Sequence, residues 1–305
     1  MAVMRAPVSM PMSGHDWQWL ATLATLWSFA FFFTKIGVTA LPPLSVAFVR
    51  IALAAAALAA ILTWRGAPAL RTVKNWPAFL IMAAINNAVP FSLIAVAQTS
   101  ITSGFAATLN GASPLFSVLL AHAIGAERLS GLKIAGVVLG LAGVAALLTG
   151  SSAGVWGLDA FAMTACLGAA FLYACSGLYG RRLGRLSALE AAAGQLIAAT
   201  LVMAPVVAIV DRPWTLPMPA ATTIAALAGL ALFGTAAAYV VYFRLLASAG
   251  ATNLLLVTLL MPIGATALGV AFLDERFSFE QALGMAAIGV GILAVDGRVA
   301  GPRRA

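Results

Sequence analysis

Apolar residues in this chain do not form stripes; they form unbroken blocks about as long as a bilayer is thick. Ten blocks can be marked, at 17–39, 44–63, 76–98, 102–124, 132–149, 155–180, 187–210, 221–243, 252–272 and 279–297. A helix needs ~20 apolar residues to cross ~30 Å of hydrocarbon, so each block predicts a membrane-spanning helix. The strands of a membrane barrel would be ~10 residues of alternating polarity, which the blocks do not show. The predicted fold class is therefore all-α and integral to the membrane. The loops between blocks are too short for a soluble catalytic or regulatory domain.

The blocks repeat. Pro114, Glu127, Arg128, Ser130, Gly136 and Gly143 recur 148 residues later as Pro262, Glu275, Arg276, Ser278, Gly284 and Gly291. Gly150-Ser151-Ser152-Ala153-Gly154 separates five blocks from five. The expected organisation is a tail (1–16), a first five-span repeat (17–150), a linker (151–154), a second repeat (155–297) and a basic tail (298–305). An odd number of crossings per copy turns the second copy upside down. Inverted copies around a midplane cavity are a common transporter design.

Charge fixes a direction for this arrangement. The chain is 63% hydrophobic and 9% charged, with mean hydropathy +1.03, against about 25% charged in soluble domains. With the N-terminus inside, thirteen of the 17 Lys and Arg fall in inner loops and tails. Only Lys35, Arg212 and Arg276 fall outside, and Arg50 lies within a span. By the positive-inside rule both termini are expected in the cytoplasm. The net charge of +8 is thus a topology signal, and no nucleic-acid partner is expected. The segment before Trp17 lacks the pattern of a cleaved signal peptide. Cys166 and Cys175 share one block and give neither a disulfide framework nor metal spacing, so no metal and no cofactor are expected.

Several segments resemble a known family. Trp27-Ser28, Phe33-Thr34-Lys35-Ile36-Gly37, Leu41-Pro42-Pro43-Leu44 and Phe48-Val49-Arg50 are similar to the opening of the drug/metabolite transporter superfamily, in its ten-span EamA-type branch. Glu127-Arg128-Leu129-Ser130 with Gly136, Gly140 and Gly143 resembles the end of that family's repeat, and Asp274-Glu275-Arg276-Phe277 through Gly291 resembles the same end again. Ala126 and Asp274 stand where the family pattern has a glycine. The resemblance implies an inner-membrane permease, most often an exporter of amino acids or related metabolites.

Polar residues inside spans are the candidates for cargo contact, because each is costly in hydrocarbon. Arg50 lies about two turns into the second block, roughly 9 Å deep. It either holds a substrate carboxylate with its planar fork or snorkels and binds neighbouring carbonyls. Lys35, nearer the surface, is expected to snorkel. Asn86, Asn87 and Asn110 sit near mid-depth, each within a turn of Pro90 or Pro114. They can satisfy carbonyls freed by proline, hold a ligand, or bridge helices. Gln98 and Gln195 are further candidates. Trp27, Tyr239 and Tyr242 can supply an aromatic wall or simply pack. Pro90, Pro114 and Pro262 are candidate hinges. Gly136-x-x-x-Gly140 and Ala287-x-x-x-Gly291 predict close pairing of the fifth and tenth spans, with a dimer contact as the alternative. The remaining tryptophans lie near span ends, as interface anchors.

No Asp or Glu is expected near the bilayer midplane, where proton- and sodium-coupled transporters usually keep one. That favours uncoupled transport of a neutral, zwitterionic or anionic solute over cationic drugs. There is no nucleophile–base pair or elbow motif, so an enzyme is not expected. The expected function is export of small metabolites, foremost neutral or aromatic amino acids, by alternating access. Its partners are a small-molecule solute and the lipid bilayer, and it works as a monomer with a dimer possible. Proton-coupled efflux of drugs or other metabolites, and a lipid flippase, are the alternatives.

Overall fold

A computed structural model describes residues 12–66, 75–125, 129–149, 158–183, 186–254 and 256–296. The Glu127-Arg128 pair, the linker 151–154, Trp156 and both ends of the chain lie outside these. Among the described residues the regular structure is entirely helical. Ten rods follow in order: α1 (Gly14–Ala40), α2 (Pro43–Trp64), α3 (Trp76–Ala97), α4 (Ser103–Ala123), α5 (Gly131–Thr149), α6 (Leu158–Tyr179), α7 (Ala188–Val210), α8 (Ala221–Gly250), α9 (Val257–Phe272) and α10 (Phe279–Asp296). Seven are long and apolar enough to cross a membrane, and α5, α9 and α10 are shorter apolar helices. Leu201, Ile209, Phe233, Val138, Phe161 and Phe272 lie exposed on the outside, an apolar surface suited to lipid rather than water. Trp17, Trp64 and Trp214 project at helix ends.

The helix boundaries have local causes. Ser13 and Asp16 form a capping box at the start of α1, and Ser187 and Glu190 form one at the start of α7. Pro43 opens α2 at its first turn, where a missing N–H costs nothing. Two rods are locally underwound: α3 carries a π-helical stretch at Ala83–Ala88 and α8 carries one at Leu232–Ala237. The two stretches are 149 residues apart, so the irregularity itself is repeated.

Packing obeys the same repeat. α1 packs on α9 as α6 packs on α4; α3 packs on α6 as α8 packs on α1; α2 packs on α8 as α7 packs on α3. The self-related pairs are α2–α7, α4–α9 and α5–α10. Each runs antiparallel. Ser45 at the start of α2 meets Asp211 at the end of α7, Gly104 and Gly111 of α4 meet Thr266 and Thr258 of α9, and Gly136 and Gly143 of α5 meet Gly291 and Gly284 of α10. Equivalent helices of the two halves therefore point in opposite directions.

The α5–α10 seam is the most extensive contact in the molecule. A Cβ built on Gly136 would stand 2.6 Å from the Gly291 carbonyl oxygen, and one on Gly291 would stand 2.6 Å from that of Gly136. Only hydrogen fits at these positions. Small residues thus let two backbones touch, which in lipid is a main source of helix association.

Acidic side chains clamp helix starts at one end of the bundle. The Glu275 carboxylate accepts from the Ser103 N–H at 2.8 and 3.0 Å and from its hydroxyl at 2.8 Å, at the first turn of α4. Asp211 accepts from the Ser45 N–H and hydroxyl, both at 2.7 Å, at the start of α2. Both carboxylates belong to the second half and both helices to the first. Glu275→Gln keeps the shape and removes the charge, and is expected to cost about 1–2 kcal/mol. The check is a lower melting midpoint in detergent; an unchanged midpoint would show that the clamp contributes nothing.

Candidate functional site

The buried side chains of Arg50, Asn87, Ser176, Gln195 and Thr235 converge where α2, α3, α6, α7 and α8 meet. Arg50 is 8% exposed. Its Nε donates to Thr235 Oγ1 at 2.8 Å, and its guanidinium lies 3.7 Å from the centroid of the Phe91 ring. Thr235 stands in the π-helical stretch of α8 and donates in turn to the Leu230 carbonyl at 3.0 Å. Tyr239 follows Thr235 by about one turn of α8. Among the described residues no carboxylate reaches it, and no acceptor meets its two terminal nitrogens. A buried cation without a counter-charge is costly, and the Phe91 face offsets part of that.

Beside Arg50 lies a net of amides and hydroxyls. Asn86 Nδ2 donates to Gln195 Oε1 at 2.8 Å and to the Tyr239 hydroxyl at 3.1 Å. Asn87 Nδ2 donates to the same Gln195 oxygen at 3.0 Å, and the Tyr239 hydroxyl donates to Asn87 Oδ1 at 2.9 Å. Ser176 Oγ donates to Asn86 Oδ1 at 2.8 Å. Helices α3, α6, α7 and α8 are thus tied by one net. Asn87 Nδ2 also reaches the Met82 carbonyl at 3.4 Å, five residues back at the start of the π-helical stretch.

An aromatic chain leads away from the net. Tyr239 stacks on Phe243 at 6.3 Å, Phe243 meets Tyr242 edge-on at 5.1 Å, and Tyr242 lies 6.0 Å from Trp27. Trp27 packs against two separate core clusters, and so does Tyr173. The core is divided rather than continuous, and these half-buried rings stand at the divisions.

Of the sequence candidates, Arg50, Asn86, Asn87, Gln195 and Tyr239 come together, with Trp27 and Tyr242 joined through the rings. Gln98 and Asn110 do not. Gln98 is fully buried at the end of α3, and neither its amide oxygen nor its nitrogen has a partner. Asn110 ends the first segment of α4 with its Oδ1 unpartnered. Pro90 follows the π-helical stretch of α3, and Pro114 begins the second segment of α4 after a break at Gly111-Ala112. Pro262 lies inside a continuing α9. Lys35 does not snorkel: its Nζ donates to the Gln98 and Ile101 carbonyls at 2.7 and 2.9 Å, closing the end of α3.

Ser176, Thr235, Tyr173 and Phe91 were not singled out by sequence. For two of them the repeat held a signal. Thr235 lies 149 residues after Asn86, at the same place in the second π-helical stretch, and Tyr173 follows Leu172 as Trp27 follows Leu26. Among the described residues no acidic group lies in the centre: Asp16, Asp159, Glu190, Asp211, Asp274, Glu275, Glu280 and Asp296 all sit at helix ends or in the loops beside them. Among the described residues no cluster of His, Cys, Asp or Glu could hold a metal.

An apolar helical bundle made of two oppositely directed halves, with a polar net inside it, fits the inverted-repeat design of secondary transporters. Residues 17–149 and 160–295 each match the EamA-like transporter family, and the chain belongs to that family. It is 29% identical over 282 residues to the uncharacterized inner membrane transporter YedA of Escherichia coli (strain K12), covering 90% of this chain and 88% of YedA. It is 24% identical over 283 residues to the uncharacterized transporter YvbV of Bacillus subtilis (strain 168), covering 91% and 90%. One crystal structure shares the fold with a TM-score of 0.68 at 20% identity, over 93% of this chain and 96% of that one.

Proposed function

We propose that this protein exports small carboxylate-bearing metabolites, foremost amino acids with neutral or aromatic side chains, across the bacterial inner membrane. The observation that carries this reading is Arg50. A buried guanidinium with two free nitrogens and no carboxylate nearby is prepared for an anion that arrives with the solute. The rings of Trp27, Tyr239 and Tyr242 offer surface for an apolar or aromatic side chain.

All ten rods are read as spans, with both termini in the cytoplasm as the Lys and Arg distribution indicates. Two inverted halves exchange conformations around the central polar net, and each half takes up the shape of the other. The two states must lie within a few kcal/mol for the cycle to run. The absence of acidic groups among the bonded residues of the centre favours uncoupled movement down the solute's gradient. The outward direction follows the family resemblance.

Counterflow into liposomes containing only this protein, without an ion gradient, tests the reading. Accelerated exchange of neutral and aromatic amino acids is expected. Exchange that appears only with a proton or sodium gradient would overturn the uncoupled mechanism. Exchange of organic cations in place of amino acids would overturn the carboxylate reading.

A further inference from the structure

Threonine hydroxyls on these helices reach back three or four residues along their own helix, as those of Thr34, Thr108, Thr164 and Thr200 do. Thr235 reaches five residues back, to the Leu230 carbonyl. The cause is local: in the wider turn of the π-helical stretch Leu232–Ala237, the carbonyl over a residue is the one five before it. The hydroxyl proton is thereby committed to Leu230. A lone pair of the same oxygen accepts from Arg50 Nε on α2 at 2.8 Å, and both side chains are buried.

This contact is one of a repeated pair. Helices α2 and α7 bury the same positions at a spacing of 145 residues: Ala47, Ile51, Ala54 and Leu58 match Ala192, Leu196, Ala199 and Met203. Arg50 therefore stands where Gln195 stands, and Thr235 stands where Asn86 does. Asn86 and Gln195 are also bonded, at 2.8 Å. The second helix of each half touches the π-helical stretch of the other, and only one of the two contacts carries an arginine.

A guanidinium can meet a carboxylate along its Nε side or across its two terminal nitrogens. Thr235 occupies Nε, and the Phe91 ring covers one face at 3.7 Å. The plane of the fork and its rotation are then both set, and the end with two terminal nitrogens is left for a bidentate partner. Thr235 is uncharged, so it aims the cation without neutralising it. We propose that Thr235 is the positioning residue for Arg50, and that through Arg50 it sets the preference for a solute carboxylate. This rests on the carboxylate reading above and adds to it the residue that orients the fork.

Thr235→Val keeps size and branching and removes the acceptor; Thr235→Ser keeps the acceptor. Counterflow of phenylalanine is compared with that of phenylalaninamide, which lacks the carboxylate. The wild type is expected to prefer phenylalanine by about 10- to 100-fold. In Thr235→Val the half-saturating concentration of phenylalanine should rise about tenfold at little change in maximal rate, while that of phenylalaninamide stays within about twofold. Thr235→Ser should regain the preference. If Thr235→Val is not monodisperse, Thr235→Ala replaces it with the same expectation. A merely structural role would slow both probes together and leave the preference in place, and that outcome overturns the positioning role. So does a Thr235→Ser variant as impaired as Thr235→Val. In either case a preference lost in Arg50→Gln leaves the carboxylate reading standing. A wild type without the preference, or Arg50→Gln that keeps it, overturns both.

Discussion

Gly291→Val is expected to melt at a distinctly lower temperature than the wild-type protein, more so than any single change in the polar centre. A side chain there meets backbone and not another side chain: the Gly136 carbonyl oxygen at 2.6 Å and the Gly140 Cα and N at 2.8 Å. Flexible neighbours could rotate away; backbone cannot. Relief requires α5 and α10 to separate, which opens the largest helix pair of the bundle. Overpacking of an ordinary core costs about 1–3 kcal/mol, and this site lies at the upper end or beyond because both faces are rigid. Gly177→Ala is the control, since a Cβ at Gly177 meets nothing within 4 Å; it should be neutral or slightly stabilising on helix propensity. Melting followed by size exclusion in detergent separates the two. Equal midpoints for both variants would mean that the seam can slide apart without loss.

That seam was legible in the sequence, because glycine at four-residue spacing inside an apolar block has few other uses. The two-repeat organisation was legible too, since the repeated Pro, Glu, Arg and Gly positions need no structure to be compared. Asn86, Asn87 and Gln195 stood out for the same physical reason that makes them cluster: an amide in hydrocarbon needs a partner, and the partners are one another. Ser176 and Thr235 did not stand out, because hydroxyls usually bond their own helix, as Thr200 and Thr108 do here. The π-helical stretches were hidden for different reasons in each half. In α3 the ring of Pro90 crowds the carbonyl four residues earlier, at Asn86, and the helix widens there. In α8 the equivalent position is Tyr239, so no proline marks the stretch. The helix also runs beyond the predicted end at 243, continuing past Tyr242 to Gly250, whose positive φ of 80° breaks it. Lys35 was read by depth alone, and depth does not reveal that the end of α3 lies alongside.

The two buried glutamines make the sharpest comparison, because the same substitution should have opposite signs at each. Gln195 and Gln98 are both almost wholly buried, at 2% and 0% exposure. Gln195 Oε1 accepts from Asn86 and Asn87, so Gln195→Leu strands the donors of two neighbours. Asn86 Nδ2 keeps its bond to Tyr239, and Asn87 Nδ2 keeps only the long contact to Met82. Leaving a buried donor unmet costs about 1–3 kcal/mol, and hydrogen bonds inside a membrane average nearer 0.6 kcal/mol. Two bonds to one acceptor place the expected loss at about 1–2 kcal/mol. Transport should fall at least about tenfold, because Asn86 and Asn87 lose the acceptor that fixes their orientation. Gln98→Leu removes an amide whose oxygen and nitrogen have no partner, so its expected effect is neutral or about 1 kcal/mol stabilising. Parallel melts of the two variants decide the matter. If both fall together, Gln98 is satisfied in the membrane by a water or a second conformation. If both stay level, the net around Gln195 contributes nothing to the fold, and its place must be explained by cargo alone.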